Sequence, residues 1–110
     1  MTYSEELADR IREIVGFREG VTERKMFGGI AWMIHGNMAV GLTRDDGLMV
    51  RLPADEAELA LKEDHVGPMD MSGRRMKAFV VVDSGGTAED GDLAGWIDAG
   101  SDFAASMPPK

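Results

Sequence analysis

The sequence has 110 residues, with 12 Lys plus Arg against 20 Asp plus Glu, for a formal net charge of −8. That length suits one domain spanning 1–110, and 44% hydrophobic with 29% charged residues is a globular rather than a disordered composition. The absence of cysteine excludes disulfides, thiolate zinc sites, iron–sulfur clusters and cysteine nucleophiles together.

The first segment reads as a helix. Leu7, Ala8, Ile11, Ile14 and Val15 recur at the i, i+3, i+4, i+7 spacing of one face, and Glu5, Glu6, Asp9, Arg10, Arg12 and Glu13 fill the other. Thr2 with Glu5 fits a capping box, Gly16 a stop, and Glu6 with Arg10 an i,i+4 ion pair.

After Gly20 the period changes to that of strands. Val21 to Met26 is a first strand and Gly29 to Ile34 a second; His35-Gly36-Asn37 is a hairpin turn, and Met38 to Leu42 a third strand. Asp45-Asp46-Gly47 is a second turn signal, because glycine tolerates the positive φ that tight hairpins require. Leu48 to Leu52 follows as a fourth strand. Its alternation sets Leu48, Val50 and Leu52 against Met49 and Arg51, just as Ile30, Trp32 and Ile34 oppose Ala31 and Met33. Four short strands in succession predict an antiparallel meander.

Pro53 ends that run, and Asp55 to about Asp64 reads as a short helix with Asp55 as N-cap and Glu58 three residues on. Gly67-Pro68 reads as a break, Met69 to Met71 as a brief extended piece, and Met76 to Val82 as the strongest strand. A last helix follows Ser84-Gly85-Gly86. Leu93, Trp96, Ile97, Gly100, Phe103, Ala104 and Met107 keep helical spacing, Thr87 is its expected N-cap, and Pro108-Pro109 end it. Gly100, on the apolar side, would let this helix sit close to the sheet. The expected class is α+β: an antiparallel sheet of about five strands with the N- and C-terminal helices packed on one face.

Chemistry is harder to find than shape. His35 and His65 stand thirty positions apart with no carboxylate at ligand spacing, so they read as turn and loop residues and no metal is expected. Asp45-Asp46-Gly47 lacks the spaced oxygens of a calcium loop. There is no G-x-S-x-G elbow, and the serines fall at caps, turns or the acidic last helix. Val82 to Thr87 has the strand–glycine–helix order of a phosphate cradle but no lysine, and Asp83, Glu89, Asp90 and Asp92 would repel an anion. Neither catalytic residues nor a cofactor are expected, and the chain is read as not an enzyme.

Surface features say more. Residues 1–52 carry 7 basic and 8 acidic side chains, and residues 53–110 carry 5 and 12, a balance that opposes autonomous nucleic-acid binding. Two basic clusters remain, Arg24-Lys25 and Arg74-Arg75 with Lys77, read first as edge-strand charges that discourage aggregation. Of 9 methionines, Met26, Met33, Met38, Met49, Met69, Met71 and Met76 fall in the strand-rich middle. Methionine fills core gaps and also builds adaptable binding surfaces. A sheet apolar on both faces would offer a dimer or partner surface. The candidate surface is Arg24, Lys25, Met33, Met49, Arg51, Arg74, Arg75 and Lys77.

Read together, several stretches resemble the N-terminal domain of the TfoX/Sxy family of bacterial competence regulators. They are Val21-Thr22-Glu23-Arg24-Lys25-Met26-Phe27-Gly28-Gly29, Trp32-Met33 through Gly36-Asn37-Met38, and Asp46-Gly47-Leu48-Met49-Val50-Arg51. Pro68-Met69-Asp70-Met71, Gly73-Arg74-Arg75-Met76-Lys77 and the closing Pro108-Pro109-Lys110 complete them. The resemblance implies a curved antiparallel sheet flanked by helices. It also implies a role in transcription regulation, since better-known members promote DNA-uptake genes together with the cyclic-AMP receptor protein. No catalytic residues come with it. Fuller members carry a further C-terminal domain, whereas this sequence ends at Lys110, so a stand-alone domain of this kind is expected.

The functional expectation is a non-catalytic regulatory or protein-interaction domain. Its partner would be a protein, such as a transcription regulator, or a second copy of the chain. Two rival readings are an enzyme or small-ligand binder with a sheet–helix pocket, and a weak nucleic-acid binder through Arg24, Lys25, Arg74, Arg75 and Lys77. Met1 to Glu6 has no basic-then-apolar leader, and no apolar run nears the roughly 20 residues that span a bilayer, so the expected location is cytoplasmic without membrane contact.

Overall fold

The computed structural model describes residues 3–26, 28–71 and 73–109. In chain order the elements are α1 (Glu5–Val15), β1 (Val21–Met26), β2 (Gly29–Ile34), β3 (Asn37–Leu42), β4 (Leu48–Arg51), α2 (Ala54–Ala60), β5 (Val66–Met71), β6 (Arg74–Val82), α3 (Ser84–Thr87) and α4 (Asp90–Ser106). The strands make one antiparallel sheet of six, ordered β1-β2-β3-β4-β6-β5. The class is the α+β one expected, with a sixth strand.

The extra strand is β5. It runs through Gly67-Pro68, the pair read from the sequence as a break. Proline lacks an N–H and is excluded from central ladders, but β5 pairs only with β6 and forms an edge, where a donor is needed on one side alone. The meander before it follows from its turns. His35 and Gly36 take φ of 50° and 87°, the left-handed backbone that a two-residue hairpin with a matching twist demands.

Local capping differs from expectation at three helices. Ser4 caps α1, its Oγ accepting the Leu7 N–H at 3.2 Å; Thr2 lies outside the described residues. Gly16 does end α1, donating its N–H to the Arg12 carbonyl. α2 begins after Pro53, which leaves Asp55 inside the first turn, where the helix dipole favours a carboxylate, rather than at the cap. Thr87 closes the short α3 instead of starting the long helix, and α4 begins at Asp90. Asp83 caps α3 by accepting the Gly85 N–H at 2.9 Å, so a carboxylate occupies the turn that has the strand–glycine–helix order of a phosphate cradle. Arg10 does not pair with Glu6. It reaches across to Asp90 at 2.8 Å and to the Thr87 carbonyl at 3.1 Å, tying α1 to the start of α4.

All the helix packing gathers on one side of the sheet. α4 lies across β2, β3 and β4, α1 packs on α4, and α2 on β6. The core between them holds Leu7, Ile11 and Val15 of α1, Leu93 and Ile97 of α4, and Ile30, Trp32, Val40, Leu42, Leu48, Val50, Val80 and Val82 of the sheet. Burying each large aliphatic side chain stabilises the fold by about 1.5–3 kcal/mol, and this cluster is the main source of stability. Gly100 sits where α4 meets β3: a Cβ there would lie 2.5 Å from the Ala39 carbonyl oxygen, so the close approach needs glycine. Past α4, the Pro108 carbonyl accepts from the buried Asn37 side chain at 2.9 Å, fastening the end of the chain to the start of β3.

Candidate functional site

The opposite face of the sheet carries no packed helix among the described residues. Pairing registers lay a row of residues across it: Arg24, Ala31, Gly41, Met49, Val81 and Gly67, one from each strand in spatial order. Strand alternation adds Met33 beside Ala31, and Arg51 and Phe79 beside Met49 and Val81. Ala31 and Met49 are buried although they stand outside the core cluster beneath the helices. The Met49 side chain lies over Gly41, in the space a Cβ would fill.

Bending accounts for this burial. One irregularity falls between Trp32 and Met33, opposite an extra β3 residue, and another between Pro68 and Asp70. Bulges bend a strand and raise its local twist. The sheet curls enough that Met26 of β1 and Met69 of β5, from opposite edges, line one hollow together with Met38 and Met49. The hollow measures about 150 Å³, is almost wholly apolar, and has Thr43 and Arg44 of the β3–β4 turn in its wall.

Charge on this face is one-sided. Where the register defines the faces, the charged residues here are Arg24 and Arg51, and no carboxylate accompanies them. Arg10, Arg12, Arg18 and Arg75 all form ion pairs, to Asp90, to Asp9 and Glu23, to Asp98 and Asp102, and to Glu58 respectively. Arg24, Arg44, Arg51 and Arg74 form none among the described residues, nor do Lys25, Lys62 and Lys77, and of these arginines the first three lie on or beside the open face. Arg51 stacks its guanidinium 5.5 Å from the Phe79 ring centroid, a cation–π contact of about 0.5–1 kcal/mol when exposed. Its Nε is buried with no hydrogen-bond partner among the described residues.

The proposed surface residues therefore divide. Arg24, Met33, Met49 and Arg51 share the open face. Lys25, adjacent to Arg24 on an alternating strand, points to the helix side, and Arg75 is held by Glu58 of α2 at 2.7 Å. Arg74 and Lys77 are exposed along the β5–β6 hairpin. Strand alternation from Phe79 sets Lys77 on the open face, so each basic cluster is split, with Lys25 and Arg75 drawn away from that face. Met26, Met38, Met69 and Arg44 were not chosen from the sequence. The signal for the first three was the crowding of methionine into the strands; nothing local marked Arg44.

On the helix side, the arginines around α1 and α4 are ion-paired. Glu23 on β1 is paired to Arg12 and also accepts from the Trp32 indole N–H at 3.0 Å. Arg12 is the main reason its carboxyl titrates below the ordinary value of 4.5; the indole bond acts in the same direction. Arg18 spans Asp98 and Asp102 of α4, so the ionisable groups around the cleft between α1 and β1 are matched to each other. His65, read as a loop residue, lies in the turn before β5 with a φ of 71°, and its Nδ1 lies 2.8 Å from Asp83. No three His, Asp or Glu side chains converge as metal ligands among the described residues, and no described helix is long and apolar enough to cross a membrane. The exposed apolar side chains Phe17 and Leu59 lie after α1 and on α2, away from the methionine hollow.

The domain thus has one sheet face covered by helices and the other curled around an apolar hollow with arginines at its margin. Against known families, the model described as the TfoX N-terminal domain matches residues 13–104. The chain belongs to the TfoX N-terminal domain family. No curated protein and no solved structure matched it.

Proposed function

We propose that this chain is a non-catalytic regulatory domain that acts by protein contact through the open face of its sheet. The observation that carries the reading is the set of unpaired arginines, Arg24, Arg44 and Arg51, around a methionine-lined hollow on a face without helices. Methionine surfaces repack to fit a partner, and exposed cations recruit an acidic one. Family membership supports a regulatory context; the finer proposal is a cytoplasmic role in transcription control, the partner being a transcription regulator, with competence as the process. Division of the basic clusters between two sides argues against a nucleic-acid surface, because phosphate tracking needs a continuous stripe.

The test is affinity capture from native lysate with three baits: the unmodified chain, Arg51→Glu on the open face, and Asp98→Lys on the helix side. A protein captured by the first and third but lost with the second supports the reading. Capture indifferent to Arg51→Glu, or no capture from a chain that sediments as a monomer, overturns it.

A further inference from the structure

The hollow's dimensions and charge narrow what a partner must present. We infer that it is an anchor pocket for a short acidic segment of a partner protein, taking one large apolar side chain while Arg44 and Arg51 engage carboxylates on either side. This rests on the interaction reading above and specifies its chemistry.

Size decides between a free small molecule and a side chain. Sites for drug-sized ligands occupy roughly 300–1,000 Å³, whereas a cavity of about 150 Å³ holds a benzene-sized group. The hollow, at about 150 Å³, is of the second kind. A Phe, Leu or Met side chain fills it, and such single-residue pockets are where binding energy concentrates in protein interfaces. Its four methionines, Met26, Met38, Met49 and Met69, are unbranched and can adjust to any of these shapes.

The flanking charges supply the second requirement. Met49 in the hollow's wall lies two residues from Arg51 on β4, while Arg44 stands in the turn at the strand's other end. At about 3.3 Å per residue, an extended segment crossing this stretch places carboxylates within about two positions of its anchor. Neither arginine has a partner carboxylate among the described residues. A second copy is the wrong occupant. Two-fold pairing would lay this face on an identical one, bringing two sets of arginines together with no facing carboxylate from the register-defined face to answer them. Nucleic acid is also disfavoured, because the hollow offers no aromatic side chain for a base to stack on and the net charge of −8 opposes a phosphate backbone.

The probe is a seven-residue peptide with four carboxylates around a central Phe, titrated into chain labelled at its methionine methyl groups. The expected result is saturable shifts of the Met26, Met38, Met49 and Met69 methyls. Replacing the central Phe by Ala should weaken binding about tenfold or more, and so should Arg44→Glu, with binding falling as salt rises. A Met69→Glu chain, whose other methyl signals report whether it remains folded, should lose binding too.

Absent shifts at millimolar peptide, shifts equal for Phe and Ala centres, or tighter binding of a basic peptide or a single-stranded oligonucleotide overturns the inference. So does a sedimentation mass showing that two copies occupy the face. Should Arg51→Glu abolish capture from lysate while every peptide fails, the anchor pocket is wrong and the interaction face stands. Should capture ignore Arg51→Glu, the face itself is wrong.

Discussion

At the scale of single residues, two glycines of the same helix separate two opposing effects. A helix-interior glycine costs about 1 kcal/mol relative to alanine. Gly95 has nothing within 4 Å of where its Cβ would be, so Gly95→Ala should recover about that much, read as a higher denaturation midpoint. At Gly100 the added carbon would press on the Ala39 carbonyl and come within 3.0 Å of Val40, and overpacking of this kind costs about 1–3 kcal/mol. Gly100→Ala should therefore destabilise despite its better propensity. Chemical denaturation of the two variants side by side checks both signs.

Glu23 gives the residue-scale pH prediction. Its carboxyl is depressed by Arg12 in the folded chain, so folding favours the ionised form. The stability it adds is present above the unfolded value, near 4.5, and is lost as pH falls through the lower folded one. Glu23→Gln should lower stability at neutral pH, and the gap from the unmodified chain should close on acidification through this range. A gap that is constant from pH 7 to pH 3 would show that the ion pair is not its source.

At the scale of elements, what was legible depended on how local the cause is. Periodicity alone located α1, the four meander strands and the body of α4, because one buried face imposes its spacing on the residues that form it. Boundaries failed where two local solutions compete: Ser4 rather than Thr2 as cap, Thr87 inside a separate turn of helix, Pro53 rather than Asp55 ahead of α2. β5 was legible only in part, since Gly67-Pro68 breaks a central strand but not an edge one, and edge position is a property of the sheet. A prediction belongs here too. Asn37 joins the β2–β3 hairpin to the segment just beyond α4's end through its bond to the Pro108 carbonyl, and it is almost wholly buried. Asn37→Ala should cost about 1–3 kcal/mol and free the C-terminal residues first, visible as faster amide exchange at the end of α4 than in α1.

At the scale of the whole molecule, the candidate site was half legible. Alternation put Met33, Met49 and Arg51 on the face away from the helices, and the register confirms that placement. The meeting of Met26 with Met69 could not be read, because it arises from curvature summed across six strands and two irregularities. Likewise, an unpaired arginine is recognisable only once every carboxylate has been placed. That charge distribution has an association consequence. With unpaired arginines on the open face and the ion-paired network on the other, self-association through like faces is opposed, and the chain is expected to sediment at the mass of one copy at micromolar concentration. A dimer that dissociates on Met33→Glu would refute this and reassign the face to self-assembly.

The curl has a further consequence at its margins. A flat sheet leaves two straight borders, each a ready template on which a stray strand can add and start an aggregate. Here the borders are β1 and β5, and both are drawn inward over the methionines instead of lying in one plane. The distortion that forms the hollow thus also blunts the rims, so the pocket and resistance to amyloid-like growth share a single geometric origin.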